Sequence, residues 1–272
     1  MKLSNTNIKT NIPITWCPGC PNFLILEAVN RTIQKLIKEK YCPHKDFCMT
    51  ADIGCNSKIF DYLNISGIYG LHGRSLATAL GVKLGNPNLK VLAFQGDGGA
   101  YSEGIEHFIH AFRYNSDLTL IVHDNQAFSL TTGQTTPTTQ LGEKSKSQPL
   151  GEFNNPLNPI MLALAAGASF VARCNPFDIE DTSRILEAGI KHNGFAFVEM
   201  MQKCLIFNPD MNNLDKLMYK IADCHNLERA EKFAKEWDYN SKSGKIPIGI
   251  LFQKFGDRTL EEKWPQLKRE LR

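Results

Sequence analysis

The sequence predicts an α/β fold on a mainly parallel sheet with helices on both faces, followed by a more helical, polar C-terminal extension. Three observations carry this reading. Short apolar runs alternate with segments of helical periodicity from residue 22 to residue 201, the order expected of βαβ units. Two of the runs end directly in Gly-Asp-Gly and Asp-Asn, which places polar loops just past strand ends. The last ~70 residues lose this alternation and end in a charged tail.

Taken in order, residues 22–39 predict a helix, because Phe23, Leu26, Val29, Ile33, Leu36 and Ile37 recur at helical spacing. Phe47 to Ile53 is a short apolar run that opens into Gly54-Cys55, a buried strand leading to a loop. A second helix is predicted over 75–84 and closed by Asn86-Pro87-Asn88. Val91-Leu92-Ala93-Phe94 reads as a strand running into Gly96-Asp97-Gly98-Gly99. The helix that follows carries Ile105, Phe108, Ile109 and Phe112 on one face, a core stripe. The strand Leu118 to Val122 then runs into Asp124-Asn125. Residues 131–158 form a long loop rich in Thr, Gly, Ser, Gln and Pro, a length that points to function. A helix (159–166), a strand (168–173), a helix (178–192) and a strand (195–201) complete the series. There is no internal repeat and no low-complexity tract.

With 42% hydrophobic and 22% charged residues and a net charge of +3, the composition is that of an ordinary globular chain. No Lys/Arg-rich run suggests a nucleic-acid groove. Met1 to Pro13 is polar and does not resemble a signal peptide. No apolar run approaches the ~18 residues needed to span a bilayer, so a cytoplasmic location is expected. In that setting the eight cysteines are not expected to form disulfides. Cys174 and Cys224 read as ordinary thiols. Trp16-Cys17-Pro18-Gly19-Cys20 is a C-x2-C pair, which places two thiolates on one metal or cluster and needs partners from elsewhere. Cys55 and Cys204 follow predicted strands and supply one set; Cys42 and Cys48 with His44 supply a rival set suited to zinc. Spacing alone does not decide between them.

Ligands of open α/β sheets bind beyond the C-terminal ends of strands. Asp97 and Asn125 both lie there, on consecutive strands of one βαβ unit. A carboxylate and an amide oxygen are hard ligands suited to magnesium, which completes its shell with phosphate oxygens. Gly96, Gly98 and Gly99 let the backbone approach a phosphate, and the following helix start favours an anion. The unit therefore reads as a magnesium–diphosphate site. It resembles the thiamine diphosphate motif, which runs from Gly-Asp-Gly over nearly thirty residues to an Asn. The resemblance implies magnesium ligands at Asp97, Asn125 and the Ala127 carbonyl. Thr131 is a further candidate, for a phosphate oxygen.

Over nearly the whole chain the sequence resembles the β subunit of 2-oxoacid:ferredoxin oxidoreductases. The matching pieces are Trp16 to Cys20, Asp52 to Lys58, Leu71-His72-Gly73-Arg74, the thiamine motif, Thr132-Gly133-Gln134 with Pro137-Thr138-Thr139, the strand ending at Cys204, and Ile246 to Leu251. The resemblance implies the thiamine diphosphate-binding fold of the diphosphate type. It implies one 4Fe–4S cluster on Cys17, Cys20, Cys55 and Cys204, and gives Cys42, Cys48, Cys174 and Cys224 no role. Residues 1–195 would form the cofactor-binding domain with cluster ligands, and 196–272 a β-subunit region with the last cluster cysteine. The implied reaction is the oxidative decarboxylation of a 2-oxoacid, pyruvate or 2-oxoglutarate foremost, with electrons passing through the cluster to ferredoxin and the acyl group to coenzyme A. An α-type (or α/γ) partner would supply the pyrimidine half-site and its carboxylate, in an obligate hetero-oligomer. Lys58 is a candidate for the substrate carboxylate and His72 for cofactor contact, whereas His107 and His110 read as structural.

Two departures from the family pattern stand out: Pro21 replaces the usual Gly after the first cysteine pair, and Gly99 stands where a second Asp is common. The alternatives are a non-redox thiamine enzyme subunit, which would leave the cysteines idle, and a zinc-stabilised binding module, which would leave the thiamine motif idle.

Overall fold

The computed structural model describes residues 8–208, 214–239, 244–264 and 266. Its centre is one eight-stranded sheet: β1 (Phe47–Ala51), β2 (Ser66–Tyr69), β3 (Lys90–Gly96), β4 (Leu118–Asp124), β5 (Phe170–Cys174), β6 (Ala196–Met201), β7 (Met218–Lys220) and β8 (Ile246–Gln253). The spatial order is β2-β1-β3-β4-β6-β5-β8-β7. The first six strands in that order are mutually parallel. β8 pairs antiparallel with β5, across a bulge at Val171/Ala172, and parallel with β7. Strands β1, β4, β5 and β6 are buried at every residue, as parallel strands covered on both faces must be.

Helices cover each face. On one side lie α1 (Asn22–Lys38), the short α2 (Ile59–Tyr62) and, later in the chain, α6 (Ile179–Lys191). Ile25, Val29, Ile33 and Leu36 of α1 share a core with Ile185 and Leu186 of α6 and with Phe94, Ile121 and Val198 of the sheet. On the other side lie α3 (Ser75–Gly85), α4 (Ile105–Tyr114), α5 (Pro159–Ala165) and α7 (Leu227–Glu236). There Leu76, Phe108, Phe112, Ile160 and Phe233 pack on Val91, Leu120 and Phe197. Phe108 meets Phe112 and Phe197 edge-on, with ring centroids 4.9 and 5.0 Å apart. The stripe predicted over Ile105–Phe112 is thus core, as its spacing required. A final turn, α8 (Leu260–Lys263), opens with a capping box in which Thr259 and Glu262 satisfy each other's backbone amides.

The predicted helices and strands occur within one to three residues of their expected bounds. Four features differ from, or add to, the sequence reading. β2 is an edge strand with all four residues exposed, including Ile68 and Tyr69. It carries neither a continuous apolar run nor clear alternation, so periodicity gives no sign of it. The chain after Gly98 does not enter an α-helix directly; Gly99–Glu103 is a π-turn, closed by Gly104 N–H donating to Gly99 O at 2.9 Å. The C-terminal segment, besides α7 and α8, adds β7 and β8 to the sheet, with Ile246–Leu251 forming most of β8. Finally, the polar α7 is amphipathic and buries Ala230, Phe233 and Ala234 against the second core. Among the described residues no helix is long and apolar enough to cross a membrane.

Candidate functional site

Because β3 and β4 are parallel neighbours, with Gly96 level with His123, the residues that follow them emerge side by side. Asn125 N–H donates to Asp97 Oδ1 at 3.4 Å, and Asn125 Oδ1 accepts from Ala127 N–H at 3.0 Å. The structure therefore brings Asp97, Asn125 and Ala127 together, all buried. They line a cleft with Gly96, Gly98 and Gly99. Its remaining walls come from the loops after β2, β1 and β6, so five adjacent strand ends contribute. This is the position in which open α/β sheets bind ligands.

The glycines are sterically required. A Cβ on Gly98 would overlap the Phe128 ring, and one on Gly99 would overlap Asp52 Oδ2 and stand 3.2 Å from its Cγ. Asp52 is fully buried and fixed: Oδ1 accepts from Asn56 Nδ2 (3.0 Å) and Ser57 Oγ (2.8 Å), and Oδ2 accepts from Gly73 N–H (3.3 Å). The second Asp common to the family pattern has no room at residue 99 in this chain.

Burial sets the electrostatics. Desolvation pushes the Asp97 carboxyl up to about 6, against the pull of its hydrogen bonds from hydroxyls and backbone amides. Asp124, also fully buried, is raised well above the usual carboxylate range, first by desolvation and then by the charges of Asp97 and Glu199. Thr138 Oγ1 stands between them, 3.2 Å from Asp97 Oδ2 and 3.0 Å from Asp124 Oδ1. The Asp97 carboxyl, the Asn125 amide oxygen and the Ala127 carbonyl, all on residues that line the cleft, are hard-oxygen donors of the kind that could hold a divalent cation. Desolvation also holds the His123 imidazole down at about 3, so it is neutral, with Nδ1 2.8 Å from Asn22 Oδ1.

Thr131 sits on the exposed rim, its hydroxyl 2.6 Å from Gln134 Oε1 and 3.3 Å from Phe128 O. His72 lines the same cleft, with Nδ1 3.2 Å from Glu103 Oε2 and its ring 5.6 Å from Phe128. His107 and His110 lie away from it: His107 contacts Arg74 at 2.6 Å and His110 contacts Arg113 at 2.8 Å.

Cys17, Cys20, Cys55 and Cys204 line a second cavity beside the first. Trp16 closes one side, donating from its indole to Cys55 O at 2.6 Å and stacking edge-on against Tyr62 and Phe23. Burial pushes the Cys20 thiol up to about 11, and Cys55, Cys17 and Cys204 each add a further repulsive contribution. Burial likewise raises Cys55, opposed by Lys58. Lys58 lies in this cavity and donates to Thr15 O at 3.3 Å. The two cavities share Cys55, Asn125, Ser129 and Gln202 as a common wall. Among the described residues no three His, Cys, Asp or Glu side chains converge closely enough to hold a single metal ion.

The rival zinc set is not assembled. Cys42 and Cys48 are buried beside Pro43 O and Met49 O, and His44 Nε2 is taken by Asn64 O at 2.6 Å. Cys174 is wholly buried in β5 and raised far from ionisation, chiefly by desolvation. Sequence reasoning gave no role to Thr138, Gln202, Asn22 or Asn208. Thr138 lies in a matched motif, but its place between two carboxylates is a long-range fact. Asn208 Nδ2 donates to Asn125 O at 3.2 Å and pins the loop after β4 to the segment after Cys204.

Residues 52–200 match the family described as thiamine pyrophosphate enzyme, C-terminal TPP binding domain. The chain is 37% identical over 262 residues to the 2-oxoacid:ferredoxin oxidoreductase subunit beta of Saccharolobus solfataricus, covering 91% of this chain and 84% of that one. It is 38% identical over 193 residues to the 2-oxoglutarate synthase subunit KorB of Archaeoglobus fulgidus, covering 71% and 70%. Its fold superposes with a TM-score of 0.88, at 30% identity, on 2-oxoglutarate:ferredoxin oxidoreductase from Magnetococcus marinus with 2-oxoglutarate, coenzyme A and succinyl-CoA bound, covering 99% and 92%.

Proposed function

From the premise that this chain belongs to the family of 2-oxoacid:ferredoxin oxidoreductase β subunits, we propose that it supplies the diphosphate half-site and an electron relay for coenzyme A-dependent oxidative decarboxylation of a 2-oxoacid. The observation that carries the reading is the common wall: one cavity suited to a magnesium–diphosphate group and one lined by four cysteines meet at Cys55, Asn125, Ser129 and Gln202. A carbanion-stabilising cofactor and a one-electron acceptor are thereby adjacent. Neither a non-redox thiamine enzyme nor a zinc module has a use for that adjacency.

Thiamine diphosphate, when bound, supplies the carbon nucleophile and electron sink for loss of carbon dioxide. Asp97, Asn125 and the Ala127 carbonyl would hold magnesium, and the magnesium would draw the Asp97 carboxyl back to its charged form. Gly96, Gly98 and Gly99 admit the diphosphate to backbone distance, with Thr131 at its rim. Phe128 and Leu130 shield the cleft, and His72 faces it with Glu103 behind. Cys17, Cys20, Cys55 and Cys204 would each take one iron of a 4Fe–4S cluster. Thiols spread around a cavity suit such a cluster better than a lone zinc ion, which needs its ligands at one point. Lys58 offers a point charge to a substrate carboxylate beside Cys55. Residues 1–195 carry most of this machinery and 196–272 add the last cysteine. An α-type partner supplies the pyrimidine half-site, and ferredoxin takes the electrons, in a cytoplasmic hetero-oligomer.

The test is anaerobic co-purification with the α-type partner, followed by iron, sulfide and thiamine analysis and ferredoxin reduction driven by 2-oxoacid and coenzyme A. About four irons and four sulfides per β chain, with roughly one thiamine diphosphate, are expected. Thiamine without iron would instead mark a non-redox thiamine enzyme subunit.

A further inference from the structure

Behind the diphosphate-type turn lies a buried polar network that the proposed chemistry does not use. Tyr101 sits inside the π-turn Gly99–Glu103, four residues past Asp97. Its hydroxyl donates to Glu199 Oε1 on β6 at 3.1 Å. Glu199 Oε2 accepts from Arg173 Nε on β5 at 2.8 Å and from the Tyr239 hydroxyl at 2.6 Å. Arg173 also donates to the Tyr239 hydroxyl at 3.0 Å. All four side chains are 2% exposed or less.

A fully buried ion pair is weak evidence for stability, because apolar residues of the same volume fill such a space without desolvating two charges. What this one provides is direction. A carboxylate engaged at both oxygens by three donors cannot rotate, so the point at which it receives Tyr101 is fixed. The π-turn needs such a point. Its loops are wider than those of an α-helix, and irregular turns of this kind recur at functional sites. The Tyr101 ring is held as well, edge-on to Phe108 (5.3 Å) and Phe197 (6.4 Å). Glu199 itself lies on β6, which ends at Met201, one residue before Gln202 in the common wall and three before Cys204. The network thus ties the turn after Asp97 to the strand leading to the cysteine cavity.

We propose that Tyr101 and Glu199 are positioning residues that hold the Gly98–Gly99 turn against β6 and thereby set the affinity for thiamine diphosphate with magnesium. This rests on the reading of the Asp97 cleft given above. The test compares two single-hydroxyl deletions in the complex with the α-type partner. Tyr101→Phe removes the bond between turn and network and keeps the ring. Tyr239→Phe removes a hydroxyl from the same network without touching the turn. Thiamine diphosphate is titrated at saturating magnesium by protein fluorescence, with melting temperature, iron content and kcat at saturating cofactor measured alongside. The expected result is a dissociation constant raised about five- to tenfold in Y101F alone, the worth of one ordering hydrogen bond, with kcat and iron content held within twofold. Equal dissociation constants for wild type and Y101F, with melting temperature lowered in both variants, would overturn the inference and leave a plain core staple. So would an equal weakening of binding in Y101F and Y239F. A wild-type complex that binds no thiamine diphosphate would overturn the proposed function, and this inference with it.

Discussion

Replacing Gly99 with Ala tests whether the turn after Asp97 is as crowded as its geometry implies. The added methyl would overlap Asp52 Oδ2. Asp52 cannot swing aside without giving up its bonds from Asn56, Ser57 and Gly73. Overpacking of this kind costs about 1–3 kcal/mol, while Ala in place of Gly in a helical turn returns about 0.5–1 kcal/mol. The net loss is about 1–2 kcal/mol, or roughly 2–8 °C in melting temperature for a chain of this size. The assay is thermal unfolding of the complex, repeated in an Asp52→Ala background. Asp52→Ala is itself destabilising, because it orphans Asn56 and Ser57. In that background, however, the Gly99→Ala methyl meets only His72 Cε1, at an ordinary contact of 3.4 Å, and should be neutral or stabilising by up to about 1 kcal/mol. The sign of the Gly99 effect therefore reverses between backgrounds. An identical loss in both would refute the steric argument, and so would no loss in either.

Three further outcomes follow from the same geometry. Cys204→Ser should lower bound iron well below the wild-type content, whereas Cys42→Ser and Cys174→Ser should leave it unchanged, as read by iron and sulfide assay of anaerobic complexes. Lys83 is 1% exposed, with Nζ 3.0 Å from Asp117 Oδ2 and 2.8 Å from Leu89 O; Asp117→Ala should cost about 3 kcal/mol in urea unfolding, and adding Lys83→Met should recover only part of it, because Lys90, 2.9 Å from Asp117 Oδ2, also loses its partner. His192 is buried, with Nε2 2.8 Å from Ser169 Oγ, and desolvation holds its imidazole down at about 4, against an ordinary value of 6.5. Its folded value is depressed, so its contribution to stability is full above pH 6.5 and is lost as pH falls toward 4. Between pH 7 and pH 5 the wild type should lose about 2 kcal/mol more than His192→Asn, measured by urea midpoints.

Much of this molecule is written in local patterns. Burial on both faces makes the central parallel strands continuous apolar runs, and polar loops at their ends mark where a ligand binds. Asp97 and Asn125 were legible as one site because consecutive strands of a βαβ unit are neighbours, and the register of Gly96 with His123 makes them so. What escaped reading depends on distant partners. β2 is exposed on all residues and so has no periodic signature. β8 looked like part of a polar tail because its neighbours in sequence are polar, although its own residues are nearly all buried. The Arg173–Glu199 pair left a faint signal: each is a lone charge in an otherwise apolar strand. Two such charges in predicted neighbouring strands are grounds to expect a buried ion pair. Tyr101 gave none, since its partner is 98 residues away.

The antiparallel return of β8 bears on how the chain is made. On a ribosome, β1 to β6 emerge and pair while residues 246–253 are still unmade. Until then the outer edge of β5, whose five residues all belong in the interior, has no neighbour. For that interval the nascent chain displays an unpaired, apolar strand edge of the kind that recruits other chains. A product truncated before residue 246 would keep that edge permanently. Such fragments should collect in the insoluble fraction even though every residue proposed to touch a cofactor is present in them.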